Sequence, residues 1–137
     1  MKWMIASDLH GSYFYASQMQ QAFEREQADR LLLLGDLLYH GPRNDLPVGR
    51  RLVYATHGHV YNTKNPPPLA PGDILLHGHT HIPAWEPFGQ GSLYLNPGSV
   101  SLPKEGSAHS YMTLENGCFR WKTMDGRTYH ELTLSET

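Results

Sequence analysis

Sulfhydryl chemistry is nearly missing from this chain of 137 residues: its one cysteine, Cys118, can form no internal disulfide and leaves no thiolate cluster for a metal. Charge is sparse and balanced, with 11 Lys and Arg against 13 Asp and Glu. The basic residues are scattered, so no stripe exists to track nucleic-acid phosphates, and nucleic acid is not an expected partner. Long apolar runs are also wanting. The first one ends at Asp8, too short for a signal peptide or a membrane span, which makes the cytoplasm the expected location and a membrane an unexpected partner. No internal repeat or low-complexity tract is present. The length and a hydrophobic content of 39% suit one domain with a real core and not two, so residues 1–137 read as a single domain.

Histidine is what the chain has in excess. Five of its nine histidines fall in three kinds of cluster shared with acidic residues or glycine: Asp8-Leu9-His10, then Gly35-Asp36, then the pair His57-Gly58-His59 and Gly78-His79-Thr80-His81. Each cluster follows a short apolar run of strand length. Trp3 to Ser7 is continuous, as for a strand covered on both faces, and delivers Asp8. From Tyr13 to Gln27, Phe14, Met19, Ala22 and Phe23 recur near helical spacing, with Ser12 as the cap. Leu31 to Leu34 then stops at Gly35-Asp36, so strand, helix and strand predict a parallel crossover. Leu52 to Thr56 leads into His57, Asp73 to Leu76 into the His77 to His81 segment, and Ser92 to Leu95 into Asn96-Pro97-Gly98-Ser99. The last third alternates. His109 to Leu114, Cys118 to Met124 and Arg127 to Leu134 are separated by Asn116-Gly117 and Asp125-Gly126, which predict an antiparallel meander. Pro66 to Pro68 and Pro71-Gly72 read as a surface loop.

Imidazole and carboxylate together suit borderline ions such as Mn²⁺, Zn²⁺, Fe²⁺ or Ni²⁺, whereas an all-oxygen site would point to Mg²⁺ or Ca²⁺. In an extended segment, residues two apart face the same way, so Asp8 with His10 and His79 with His81 can each converge on one small volume. Glycines 11, 35, 58 and 78 let the backbone come close. Ligands hanging from several strand ends into one cleft describe the layout of a two-metal hydrolase. His77, His109 and His130 read instead as structural or solvent-facing, and Cys118 as a small core residue.

In order along the chain, Asp8-Leu9-His10-Gly11, Gly35-Asp36, Thr56-His57-Gly58-His59, Gly78-His79-Thr80-His81 and Asn96-Pro97-Gly98-Ser99 resemble the signatures of the calcineurin-like metallophosphoesterases. His40-Gly41-Pro42-Arg43-Asn44 adds a likeness to the small bacterial phosphodiesterases of the YfcE type. The resemblance implies an α/β fold, a sandwich of two mixed β-sheets flanked by helices. It implies metal-dependent hydrolysis of small phosphodiester substrates by a two-metal, bridging-hydroxide mechanism, with one or two divalent ions per chain, Mn foremost. Asp8, His10 and His81 would hold one ion, His57 and His79 the other, and Asp36 would bridge them. His59 would stand behind the ligands or face the substrate as a catalytic side chain, and Asn96 to Ser99 would support the floor of the site; His40 is the chain's own candidate for a catalytic proton donor in place of the side chain that the family's missing loop supplies.

The chain departs from this pattern between Asp36 and His57. The family places a helix, a strand and a Gly-Asn-His-Asp/Glu loop there, or Gly-Asn-Cys-Asp in the YfcE branch, whereas only 20 residues lie between the two positions here. A complete strand–helix–strand unit takes roughly 30 residues or more. The fold is therefore read as shortened by an internal deletion with its junction near residues 48–51. The second metal would lose an Asn ligand, for which Asn44, Asn62 and Asn65 are candidate replacements. A lost strand would leave an exposed sheet edge that invites homo-oligomerisation. A catalytically silent binding or assembly module of the same fold is the alternative to the enzyme.

Overall fold

The computed structural model of the chain describes residues 2–9, 12–34 and 51–134, with the backbone alone of Asn44–Val48. In chain order its elements are β1 (Lys2–Ala6), α1 (Tyr13–Glu26), β2 (Arg30–Leu33), β3 (Asn44–Val48), β4 (Arg51–Thr56), β5 (Ile74–His77), β6 (Ala84–Phe88), β7 (Ser92–Asn96), β8 (Ser110–Glu115), β9 (Cys118–Thr123) and β10 (Thr128–Thr133). They form two five-stranded mixed sheets, ordered β10-β9-β8-β1-β2 and β3-β4-β5-β7-β6.

The apolar run of β1 serves two hydrophobic layers. Ile5 packs between the sheets with Val53, Leu76, Leu95 and Trp121, while Met4 and Ala6 pack on the opposite face with Met19, Ala22 and Tyr111. A strand covered on both faces has no reason to alternate, which is why its sequence does not. Each large aliphatic or Met side chain fully buried in these layers stabilises the fold by roughly 1.5–3 kcal/mol over its exposed state.

Helix α1 begins where the Ser12 hydroxyl accepts the Tyr15 N–H at 3.2 Å, and it ends at Gln27 in the left-handed conformation. Phe14, expected on the buried face, is instead 61% exposed, and Tyr15 packs there. The reason is helical phase. Five residues before Met19 lies about 140° around the helix, whereas four residues before it lies almost directly beneath. The helix is tied to the sheet by Glu26, whose carboxylate accepts from Lys122 Nζ at 2.8 and 2.9 Å, from Lys2 Nζ at 3.0 Å and from the Tyr111 hydroxyl.

β2 pairs parallel with β1, from Arg30 opposite Trp3 to Leu33 opposite Ala6, as the strand–helix–strand pattern predicts. The meander β8-β9-β10 extends the same sheet by pairing β8 antiparallel to β1. Its first turn holds both Asn116 (φ 52°) and Gly117 (φ 73°) left-handed, the backbone that a two-residue hairpin needs to match strand twist.

The second sheet departs from expectation at its edge. β3 runs antiparallel to β4, from Asn44 opposite Ala55 to Val48 opposite Arg51, so the short segment before His57 folds back as a hairpin and covers β4. β3 becomes the edge itself, a position that tolerates Pro47 because one side of an edge strand needs no ladder partner. β6, also unanticipated, lines the opposite edge against β7. Its Trp85 stacks on His130 of β10 with ring centroids 3.7 Å apart, which joins the two sheets at that end.

Among the described residues α1 is the one helix, and it covers the first sheet. The outward-facing Tyr54, Leu75, His77 and Tyr94 of the second sheet are buried. The loop after β4 packs on this face, with Tyr61 edge-on to Tyr54 at 5.9 Å. No helix among the described residues is long and apolar enough to cross a membrane.

Candidate metal centre

Strand ends from both sheets meet at one end of the sandwich. β1 delivers Asp8, β4 delivers His57, β5 delivers His79 and His81, and β7 delivers Asn96. Asp8 is wholly buried, and its Oδ2 accepts from Ser7 Oγ at 2.8 Å and from the His79 backbone N–H at 3.0 Å. Its Oδ1 stands 3.6 Å from His81 Nε2. His79 Nδ1 lies 3.1 Å from His57 Nε2. Four of the six residues expected to bind metal are thus brought into one cluster. The other two, His10 and Asp36, lie outside the described residues, as does His40. Among the described residues, no group of three or more His, Cys, Asp or Glu side chains has an arrangement that could itself hold a metal ion.

The means of convergence differs from the expected extended backbone. Asp8 (φ 61°), His79 (φ 71°) and His81 (φ 66°) are all left-handed, a conformation that costs a residue with a Cβ on the order of 1–3 kcal/mol. His79 sits at the centre of a tight turn in which Thr80 N–H donates to Gly78 O at 2.8 Å. The strain is held by specific bonds. The Asp8 carbonyl accepts from Ser99 Oγ at 2.9 Å and from Ser101 Oγ at 2.8 Å, and Lys104 N–H donates to the His81 carbonyl at 3.1 Å.

Ring orientation supplies the test of the donor set. His57 Nδ1 is bonded to Leu34 O at 2.9 Å and His81 Nδ1 to Leu102 O at 2.6 Å. A neutral imidazole that donates its Nδ1–H to a carbonyl presents the lone pair of Nε2. Both Nε2 atoms are turned into the cluster, that of His57 toward His79 Nδ1 and that of His81 toward the buried Asp8 carboxylate. The donor types, imidazole and carboxylate, suit a divalent cation, and backbone carbonyls that fix ring orientation are the usual support of such ligands. Leu34 also closes β2 just ahead of Gly35-Asp36, so the bond that orients His57 is made at the base of the segment carrying Asp36.

His59 is exposed on the solvent side, its ring 5.5 Å from that of His57. Asn96 forms the floor: its Nδ2 lies 3.1 Å from Gly78 O, 3.0 Å from Thr80 Oγ1 and 2.8 Å from Tyr94 OH, while its Oδ1 accepts the Gly98 N–H at 2.9 Å. Asn62 and Asn65 are not turned into ligands. Asn62 Oδ1 accepts the Lys64 and Asn65 N–H groups, both at 3.0 Å, and Asn65 Nδ2 donates to Val60 O at 2.8 Å. The Asn44 side chain lies outside the described residues. His77 stacks on Tyr94 with centroids 4.4 Å apart, and burial holds its imidazole below the ordinary range, with His79 adding to the shift and the bond to Gly78 O opposing it. Sequence reading missed Ser7, Ser101 and Tyr94. The alternation Ser99-Val100-Ser101, two hydroxyls facing one way after a glycine, was the signal available.

Comparison with known proteins bears on the family and the fold. The calcineurin-like phosphoesterase superfamily domain matches residues 37–117. The phosphodiesterase YfcE of Escherichia coli (strain K12) is 32% identical over 163 positions, covering 85% of this chain and 88% of the relative. That alignment is longer than the whole chain, so the relative carries stretches with no counterpart here. The solved structure of the E. coli phosphoesterase superposes with a TM-score of 0.87 at 27% identity, covering 98% of this chain and all of that one. The structure of Entamoeba histolytica Vps29 shares the fold, with a TM-score of 0.61 at 17% identity over 98% of this chain and 100% of that one. Buried carboxylate, oriented imidazoles, two mixed sheets and these likenesses place the chain in one family: it belongs to the calcineurin-like phosphoesterases.

Proposed function

We propose that this chain is a divalent-metal-dependent hydrolase of small phosphodiesters. Asp8, His10 and His81 would hold one ion and His57 and His79 a second, with Asp36 shared between them. The observation that carries this reading is the Asp8 carboxylate, buried completely yet set between the His79 backbone and the His81 ring. When bound, such ions polarise phosphoryl oxygens and make water a competent nucleophile near neutral pH. The chain's own residues do the rest. Ser99 and Ser101 hold the Asp8 backbone, Leu34 and Leu102 aim two imidazoles, and Asn96 fixes the Gly78–Thr80 turn from below. His59 stands at the solvent side of the cluster, where it would meet the substrate, and His40 would protonate the departing alcohol.

The metal we propose is manganese, in keeping with mixed imidazole and carboxylate donors, and the compartment is the cytoplasm. The 20 residues between Asp36 and His57, together with an alignment that outruns the chain, support loss of the loop that supplies an Asn ligand. The second ion is accordingly the weaker bound.

Hydrolysis of bis-p-nitrophenyl phosphate with Mn²⁺ tests the reading directly. Turnover well above that of the metal alone is expected. Folded protein that adds nothing to the metal's own rate would sink it and favour the silent binding module. Asp36→Ala should lower metal content and activity together, so an unchanged metal stoichiometry would overturn the bridging role.

A further inference from the structure

Beside the cluster, beneath the loop that follows β4, lies a cavity of about 220 Å³ that shares His79 as a wall. Its floor is the stacked pair His77 and Tyr94, both buried, with Tyr94 OH fixed by Asn96. Thr80 completes the inner side. The outer rim carries Thr63 and Lys64, presented by a turn that Asn62 ties down at both ends: its Oδ1 accepts the Lys64 N–H and its Nδ2 donates to Gly58 O at 3.1 Å. A phosphoryl group seated at the cluster would thus have one ester arm directed into a pocket with a fixed floor and a fixed rim.

The charge lining this pocket is of one sign. No carboxylate is among its described lining residues, and the Lys64 ammonium is the one formal charge there. Among the described residues Lys64 has no ion-pair partner, although the chain as a whole has a formal net charge of -2. A cation on the rim of a pocket with largely uncharged walls attracts an anion.

We propose that this cavity is the leaving-group subsite of the hydrolase and that it selects phosphodiesters whose departing alcohol carries an anionic group of its own, a carboxylate or a phosphate. The inference rests on the hydrolytic reading above. In the reaction one water is consumed and its oxygen joins phosphorus in the phosphomonoester product. The phosphorus–oxygen bond to the departing alcohol breaks with its electron pair going to that oxygen, which ends with a proton from the water. The extra anion is unchanged.

The test compares methyl p-nitrophenyl phosphate with its counterpart bearing a carboxylate ortho to the nitro group, in kinetics and in equilibrium binding. At low salt the intact protein should favour the carboxylated ester by about two- to fivefold in kcat/KM, the gain expected of one solvated charge pair. The gain should reside in KM and shrink as salt rises. In Lys64→Gln the ratio between the two esters should fall to about one. Equal hydrolysis of both esters by the intact protein, or a preference that survives in Lys64→Gln, would overturn the subsite while leaving the hydrolase intact. Lys64-dependent binding of the carboxylated ester without hydrolysis of either would uphold the subsite and sink the hydrolase.

Discussion

The Ser101 hydroxyl donates to the backbone carbonyl of Asp8 at 2.8 Å, across 93 positions of sequence. Ser99 reaches the same oxygen at 2.9 Å. Two hydroxyls on one buried carbonyl are the restraint that keeps Asp8 left-handed and its carboxylate turned to the cluster. Ser99→Ala and Ser101→Ala should each cost about 1 kcal/mol in denaturant unfolding. The double variant should weaken Mn²⁺ binding several-fold in calorimetric titration. Metal affinity equal to that of the parent, at comparable loss of stability, would show the serines to be structural only.

Gly78, just after β5, lies against Ser7 and Asp8, just after β1. A Cβ there would lie 1.9 Å from Ser7 Oγ and 2.7 Å from Asp8 Oδ2. The backbone needs no left-handed angle at this position, so the exclusion is steric. Gly78→Ala should therefore displace the Asp8 carboxylate and reduce phosphodiesterase turnover by about a hundredfold or more, the scale on which small misplacements act. Parent-like turnover in a folded Gly78→Ala protein would refute the close approach.

Asn96 is fully buried, and its amide nitrogen shares two hydrogens among the Gly78, Thr80 and Tyr94 oxygens. Asn96→Asp keeps the shape but turns donors into acceptors and buries a charge, for a cost of roughly 3–5 kcal/mol. Asn96→Ala, which removes the bonds without adding charge, should cost roughly 1–3 kcal/mol. In the Asp variant the buried carboxyl has a raised pKa, so its deficit should shrink on acidification, when the group becomes neutral. Urea unfolding of both variants at neutral and acid pH would settle the order; equal losses at neutral pH would contradict it.

Burial by itself would raise the Glu26 pKa, but hydrogen bonds from Lys122, Tyr111 and Lys2 outweigh it and hold the group at about 2, below its ordinary 4.5. A carboxyl whose folded pKa is depressed stabilises the fold above its unfolded pKa and loses that contribution as pH falls through the folded one. The window therefore runs from about pH 4.5 down to about pH 2, and the contribution is roughly 2–3 kcal/mol. Relative to Glu26→Gln, the parent should lose that much more stability over this window in urea titrations. Parallel pH profiles would show that the lysines do not hold Glu26 charged.

Much of this architecture could be read from local pattern, because local chemistry dictated it. Ser12 announced the start of α1, Asn116-Gly117 the β8–β9 turn, and the runs ahead of Asp8, His57, Gly78 and Asn96 their strands. Elements whose reasons are not local stayed hidden. β3 exists because β4 offers it an edge, and β6 because β7 does; neither has an apolar pattern that demands a strand. Phe14 and Tyr15 look alike in sequence, and only the phase of α1 against β1 buries the second.

The sequence by itself determined the chemistry: which residues are imidazoles and carboxylates, that they end strands, and that thiolate or basic-stripe functions are excluded. Tertiary structure decided how they meet. Left-handed turns at Asp8, His79 and His81, rather than the alternation of an extended chain, aim the side chains, and hydroxyls and carbonyls distant in sequence hold those turns. A residue's chemistry is fixed by its own atoms. Its orientation is fixed by groups that arrive only when the chain has folded.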